Sequence, residues 1–365
     1  MSRVGVGVVG AGVISEQYLR NLCAFPDVEV LAVADLDAER AAQRAADFGI
    51  PASGSLERLL ADDRIEIVVN LTVPAAHVDV ATQALHAAKH VWIEKPFAID
   101  RAGADRLLAA AEASGLRMAG APDTWLGPGL QNARRLIDDG AIGEMTAATA
   151  LFQSAGPESW HPNPDFYYQP GGGPLLDMAP YYLSALVQLA GPVARVSAFA
   201  SSAMAERTIG SGPRAGEQVP VRTPTHYVAS VEFGSGVVAQ AVFSFDGHGH
   251  GNSRMLAVSG SAGHLELPDP NEFDGASTLR APGHDAVVHT VAPAQFSRGV
   301  GVLELARAIR AGVPERAGAR LIGHVLDVVF AIQEAAETRS VVEVRSTVAR
   351  AEPLPAGWTP YSQTI

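Results

Sequence analysis

The sequence predicts an α/β chain in two parts: a doubly wound parallel sheet, followed by an α+β domain carrying a large open, mostly antiparallel sheet. Three observations predict it. Short apolar runs alternate with helical patterns up to about residue 120. The first run, Val4 to Val9, ends directly in the turn Gly10-Ala11-Gly12. Beyond Pro122 the texture changes to longer segments with a period of two. Alternating strand and helix patterns build a parallel sheet covered on both faces, whereas a period of two marks antiparallel strands with one freer face.

Each element has its own signal. Val4 to Val9 reads as a buried strand, and Ile14, Tyr18 and Leu22 recur at helical spacing after the glycine turn. Val28 to Ala34 is the next strand, Asp37 to Phe48 a helix stopped by Gly49, and Ile65 to Leu71 a strand interrupted only by Glu66 and Asn70. Ala75 to Ala88 is helical, His90 to Glu94 a strand, Arg101 to Ser114 a helix stopped by Gly115, and Leu116 to Ala119 a short apolar strand. The domain break falls there, giving domains of residues 1–121 and 122–365, with the C-terminal segment free to pack back on the first. In the second domain a helix runs from Gly129 to Asp139, strands cover Met145 to Phe152, Val193 to Ala200, His226 to Phe233 and Val237 to Phe245, and helices return at Gly299 to Ala311 and Leu321 to Thr338. Residues 205–224, rich in Gly, Pro and Arg, are expected to form a mobile loop, and the proline-punctuated tail to be extended.

Composition bounds the function. The chain has 365 residues, 47% hydrophobic, enough for two substantial cores. A net charge of −12 leaves no basic stripe to neutralise phosphates, which argues against a nucleic acid or an anionic membrane as partner. The single cysteine, Cys23, excludes an intramolecular disulfide and is expected to be a small buried residue of the first helix. No stretch approaches the roughly twenty apolar residues of a membrane span, and Met1-Ser2-Arg3 runs straight into a strand, so the expected location is cytoplasmic.

The glycine turn is the first chemical signal. In a dinucleotide fold the first glycine makes the turn, the second lets the backbone approach the pyrophosphate, and the third lets helix pack on strand. Gly10 and Gly12 take the first two places, with Ser15 at the third, and Val13 and Ile14 open the helix whose N-terminus would hold the phosphates. Asp35 ends the second strand 25 residues after Gly10, where a carboxylate accepts both ribose hydroxyls and repels a 2′-phosphate. NAD is therefore favoured over NADP, with Arg40 near enough to soften the preference. The second signal is Glu94-Lys95-Pro96, which puts a lone amine at a strand end, where such a sheet presents its ligands.

Together these residues resemble a known family. Val8-Val9-Gly10-Ala11-Gly12, then Leu71-Thr72-Val73-Pro74 with His77, then His90 through Pro96, and finally Gly171-Gly172-Gly173 followed by Asp177 are similar, in order and spacing, to the Gfo/Idh/MocA oxidoreductases. The resemblance covers essentially the whole chain. It implies an N-terminal Rossmann domain, a C-terminal domain whose open sheet serves as an oligomer interface in a homodimer or homotetramer, a nicotinamide cofactor, and hydride chemistry at a carbinol or carbonyl of a sugar, cyclitol or related polyol. It also implies that Thr72, Pro74 and His77 border the nicotinamide side, and that the peptide before Pro96 is cis. Glu94 either bonds the nicotinamide ribose or neutralises Lys95. Where many members carry histidine four residues after the motif aspartate, this chain has Tyr181, which that spacing puts on the same helical face as Asp177; Pro180 between them is accommodated if it lies in the first turn.

The chemistry follows from these groups. Moving a hydride from a carbinol carbon requires a base for the hydroxyl proton. An unperturbed phenol titrates near about 10, and a neighbouring ammonium lowers that value. Lys95 supplies the ammonium in one assignment and carries the proton itself in the other; Asp177 orients the substrate in both. Trp125, where many relatives have arginine, offers an indole for a sugar face, and Trp160 and His161 open an aromatic loop suited to carbohydrate. His248 and His250 sit on alternate residues with no carboxylate or cysteine cluster, and no metal is expected. Two other functions use the same residues: an NAD-dependent glycosidase or lyase that oxidises only transiently, and a non-catalytic nucleotide-binding regulator.

Overall fold

The computed structural model describes residues 3–247 and 252–365; His248 and His250 lie outside them. The chain divides into two compact units, one of residues 3–127, 294–323 and 352–365, the other of residues 128–293 and 324–351.

In the first unit, β1 (Val4–Val9), α1 (Val13–Leu22), β2 (Val28–Ala34), α2 (Ala38–Asp47), β3 (Ala52–Gly54), α3 (Leu56–Leu60), β4 (Ile67–Asn70), α4 (His77–His86), β5 (His90–Ile93), α5 (Arg101–Ser114) and β6 (Met118–Gly120) follow in order. The strands form a parallel sheet in the order β3-β2-β1-β4-β5-β6. The order reverses between β1 and β4, and an open α/β sheet binds ligands outside the carboxyl ends of its strands at such a point. Local chemistry sets the helix ends: Asp37 and Asp100 accept from the N–H groups of Arg40 and Gly103, and Gly115 ends α5 with φ 67°. β3 and α3 escape a periodicity reading because three and five residues are too short to show a period. Cys23, expected inside, is exposed, because α1 ends at Leu22 and leaves its C-cap at the surface.

The second unit contains α6 (Pro128–Asp138), β7 (Met145–Gln153), α7 (Gly173–Ala190), β8 (Val193–Ser201), β9 (Glu206–Thr208), β10 (Gln218–Pro220), β11 (His226–Phe233), β12 (Val238–Ser244), β13 (Ser253–Gly260), β14 (His264–Leu267), β15 (Ser277–Arg280) and β16 (Val287–His289). α8 (Val300–Ala311) belongs to the first unit, α9 (Ala319–Thr338) supplies residues to both, and β17 (Val342–Glu343) returns to the second. The large sheet runs β16-β15-β14-β13-β7-β12-β11-β8-β17, antiparallel except for the pair β7 and β12. One face is core: Tyr227, Ala229, Val231 and Phe233 alternate inward and, with Ala241 and Phe243, meet α7. Residues 205–224, expected as a mobile loop, instead carry the β9–β10 hairpin. Pro180 lies inside α7 and not in its first turn, because the helix begins at Gly173, with Pro174 taking the position where a missing N–H costs nothing.

Candidate active site

The first unit presents an open glycine turn at the carboxyl ends of β1, β2 and β4. Gly10 has φ 101°, and a side chain there would drive its Cβ to 2.6 Å from the Leu71 carbonyl oxygen. Only glycine fits that conformation against that backbone. Nothing lies within 4 Å of the place a Cβ would take on Gly12, which precedes α1 and leaves its first N–H groups without a side-chain cap. Uncapped amides and an open approach are what a pyrophosphate needs at a helix N-terminus. Val13 is 90% exposed and Ile14 half-buried, so the helix opens with an apolar rim.

Asp35 follows β2 and is already employed. Its Oδ2 accepts from the Ala11 N–H at 2.7 Å; its Oδ1 accepts from the Asp37 N–H and the Arg40 guanidinium, both at 2.9 Å. Burial alone would raise its pKa, but those donors outweigh burial and hold the carboxyl below its ordinary value. It is thus ionised at neutral pH and ties the glycine turn to the end of β2. Leu36, directly after Asp35, and Val73, in the loop after β4, are exposed like Val13; neither carries a polar signal that sequence reasoning could have picked out.

The loop after β4 and the Glu94-Lys95-Pro96 segment are joined by a buried histidine. His77, 1% exposed, places Nδ1 2.7 Å from the Pro96 carbonyl oxygen and Nε2 2.9 Å from that of Thr72. Burial lowers its pKa, against the two carbonyl contacts, which raise it. Its place is that of a brace. Thr72, half-buried, donates to Asn70 Oδ1 at 2.7 Å, and Pro74 opens the single turn before α4. Lys95 is half-buried and precedes a cis peptide, Lys95–Pro96.

Glu94 faces inward, 9% exposed. Its Oε1 accepts from the Tyr18 hydroxyl at 2.7 Å and its Oε2 from the Lys95 backbone N–H at 2.9 Å. Trp92 Nε1 donates to the Tyr18 oxygen at 3.2 Å. Burial, reinforced by the Glu94 charge, pushes the Tyr18 phenol well above its usual pKa, so it stays a donor. Below this network, the fully buried Asp123 accepts through Oδ2 from the N–H groups of Gly299 and Gly301 at the start of α8, at 2.9 and 3.1 Å. Burial raises its carboxyl to about 6, although the Arg298 charge and those N–H groups pull it down. Tyr18 and Asp123 were invisible as site residues in sequence, since their partners come from distant segments. Trp125, expected to face substrate, is 3% exposed and sits within a single helical turn, Thr124–Leu126.

The second unit carries candidate residues of its own. Asp177 and Tyr181 lie one turn apart on α7, Asp177 half-buried and Tyr181 6% exposed. Tyr182 points into the core instead, its ring 5.7 Å from Phe243 and 6.5 Å from Phe152, and burial raises its pKa first. Gly172 lets the aromatic loop close over the start of α7, for a Cβ there would lie 2.2 Å from the Phe166 carbonyl oxygen. Trp160 is 64% exposed, and His161, half-buried, feels the Asp177 charge. Among the described residues no cluster of His, Cys, Asp and Glu is arranged to hold a metal.

Comparison with known proteins fits this geometry. Residues 4–120 match the oxidoreductase family with an NAD-binding Rossmann fold, and residues 130–266 match the GFO/IDH/MocA C-terminal domain. A dTDP-3,4-didehydro-2,6-dideoxy-alpha-D-glucose 3-reductase of Streptomyces antibioticus is 32% identical over 268 residues, 73% of this chain and 75% of the relative. The chain belongs to the Gfo/Idh/MocA family. Inositol 2-dehydrogenase of Salmonella typhimurium is 34% identical over 147 residues, 38% of this chain and 42% of that enzyme. In fold, levoglucosan dehydrogenase in complex with NADH and L-sorbose superimposes with a TM-score of 0.82 at 22% identity, covering 95% of this chain and all of that one. The chain is therefore an oxidoreductase of an NAD-binding family, and its first unit is the Rossmann domain of that family.

Proposed function

We propose that this protein interconverts a secondary alcohol and a carbonyl on a sugar, cyclitol or related polyol, with NAD as the preferred cofactor and with Lys95 and Tyr181 in proton transfer. The observation that supports the cofactor half is the turn of Gly10 and Gly12, open at Gly12, with the ionised Asp35 carboxylate held against it at the end of β2. The substrate class rests on relatives whose names include a deoxysugar reductase and an inositol dehydrogenase. A bound nicotinamide would supply the hydride acceptor or donor.

The remaining chemistry belongs to the chain. Lys95, at the end of β5, is the amine whose ammonium stabilises phenolate or which itself takes the carbinol proton. Tyr181, on the α7 face it shares with Asp177, supplies the phenol; Asp177 accepts a substrate hydroxyl and orients it. Thr72 and Pro74 border the nicotinamide, and His77 holds their loop to Pro96 from behind. Trp160 and His161 meet the sugar. Glu94, bonded to Tyr18 and to the Lys95 backbone, acts by shaping the segment that presents the lysine.

No described helix is long and apolar enough to cross a membrane, and we place the enzyme in the cytoplasm. It is expected to act as a homodimer or homotetramer through the open face of the large sheet. Phe199, Val228, Val242, Leu151 and Met255 stand in one register row across five strands on that face, with Phe199 71% exposed. A contiguous apolar stripe of that kind calls for a cover.

A spectrophotometric screen of NAD and NADP against a panel of sugars and polyols tests the proposal. On an identified substrate, Lys95→Ala is expected to lose roughly 10²–10⁴-fold in kcat, the usual worth of a proton-transfer group, with NADH binding retained. Wild-type turnover in Lys95→Ala would refute the mechanism; a silent Tyr181→Phe would leave the proton to Lys95. Release of a glycone without accumulation of NADH would point to the redox-assisted glycosidase instead.

A further inference from the structure

The aromatic loop of the second unit is held in place by a device that nothing in the family signature requires. Between β7 and α7, the rings of Trp160 and His161 lie 5.5 Å apart, those of His161 and Phe166 5.5 Å, and those of Phe166 and Tyr167 4.0 Å. Trp160 and Phe166 are 64% and 46% exposed. A connected row of exposed aromatic rings marks a surface kept for contact with a ligand. The loop has little regular structure of its own, only the single turns Pro157–Ser159 and Asp165–Tyr168.

The β9–β10 hairpin grips it at both ends. At the root, the Arg207 side chain is 1% exposed and donates to Glu158 Oε1 at 3.1 Å and to Asp246 Oδ1. Glu158 also accepts from the Tyr168 hydroxyl, and Asp246 from the Thr225 hydroxyl at 2.8 Å. The hairpin backbone adds Gly210 N–H to the Glu158 carbonyl at 2.8 Å, and Arg222 N–H to the Tyr168 carbonyl at 2.7 Å. At the tip, Arg214 forks onto Asp165, Nη1 to Oδ2 at 2.6 Å and Nη2 to Oδ1 at 3.1 Å. Asp165 immediately precedes Phe166, so this fork fixes the backbone that carries the platform. Its Nε meanwhile donates to Glu217 within the hairpin, at 2.8 Å, which stiffens the arginine itself.

The two attachments differ in kind. The Arg207 hub is buried, and removing one member would leave a charge without a partner inside the unit. The Arg214–Asp165 fork is at the surface, with side chains 33% and 45% exposed, and can be cut without disturbing the core. A planar guanidinium on a carboxylate constrains orientation as well as distance, which a point charge does not.

We infer that the β9–β10 hairpin is a clasp that determines substrate recognition, with Arg214 as a positioning residue: through Asp165 it holds the Trp160-to-Tyr167 platform in place to stack on the apolar face of a pyranose or cyclitol ring. The inference rests on the sugar or polyol reading above. A ring oxidised at one carbon has to be held in one orientation, and a preset platform supplies it without paying ordering entropy at each binding event.

The test uses the full chain with Arg214→Ala, Asp165→Ala and Arg214→Lys. With an accepted polyol, both alanine variants are expected to raise KM about five- to twentyfold with kcat within about twofold, because uniform binding is lost and not transition-state stabilisation. Arg214→Lys should fall between wild type and alanine, and NADH titration by fluorescence should be unchanged. Amide hydrogen exchange is read in parallel: residues 157–169 should exchange faster in Arg214→Ala, while α7 should not. An unchanged KM in Arg214→Ala, or unchanged exchange in residues 157–169, overturns the clasp. If no sugar or polyol is turned over at all, the functional reading fails, and the exchange experiment still decides whether the hairpin holds the loop.

Discussion

Tyr18→Phe is the most informative single change in the first unit, because it removes one oxygen and leaves the ring. That oxygen donates to Glu94 Oε1 at 2.7 Å and accepts from Trp92 Nε1 at 3.2 Å, in a side chain with no exposed surface. A hydrogen bond to a carboxylate contributes about 1.5–3 kcal/mol and a neutral one about 1, so the loss is expected to be about 2.5–4 kcal/mol. Urea unfolding should show a lower midpoint with the same slope, since the exposed surface does not change. The functional consequence runs through Glu94, whose other oxygen accepts from the Lys95 N–H. Released from Tyr18, the carboxylate loses its fixed orientation, and kcat is expected to fall about tenfold with NADH binding retained, the signature of a positioning loss. Trp92→Phe, which removes only the indole contact of this network, should cost about 1 kcal/mol more than its change in packing. A Tyr18→Phe variant within about 0.5 kcal/mol of wild type would show that water or another group satisfies Glu94, and the network argument would fail.

Two further outcomes follow from the same unit. Asp123 has a folded pKa of about 6 against an ordinary aspartate value of 3.8, so protonation is favoured by folding: the stability it contributes is complete below about pH 4 and is lost as pH rises through 6. About two pKa units correspond to about 3 kcal/mol, so the wild type should lose up to that much between pH 4 and 7 relative to Asp123→Asn, whose amide oxygen still accepts from Gly299 and Gly301. Parallel pH profiles of the urea midpoint for the two proteins would contradict the assignment. Asp35→Asn removes the charge that repels a 2′-phosphate; the ratio of kcat/KM for NAD over NADP should fall at least about tenfold, and an unchanged ratio would move specificity elsewhere.

The legibility of this chain followed the range of its interactions. The turn at Gly10 and Gly12 could be read because a backbone conformation and a close approach leave a local mark in residue type, and Asp35 because the spacing of a strand–helix–strand unit is nearly constant. Pro180 misled because a proline near Asp177 suggests a helix start, whereas Pro174 already occupies that place. The β9–β10 hairpin was hidden since its three-residue strands are too short to show a period and lie in a segment rich in Gly, Pro and Arg, and the ion pairs that hold it reach 49 and 39 residues along the chain.

The sequence by itself determined the parallel sheet, the glycine cradle, the amine at the end of β5 and the acidic surface, because each depends on the period or spacing of neighbouring residues. Only the tertiary structure decided that Glu94 turns inward to Tyr18, that His77 braces two loops, that Trp125 is buried and that Arg207 and Arg214 hold the aromatic loop. Those outcomes depend on which distant group arrives within hydrogen-bonding distance, and a buried charge takes whichever partner the fold delivers.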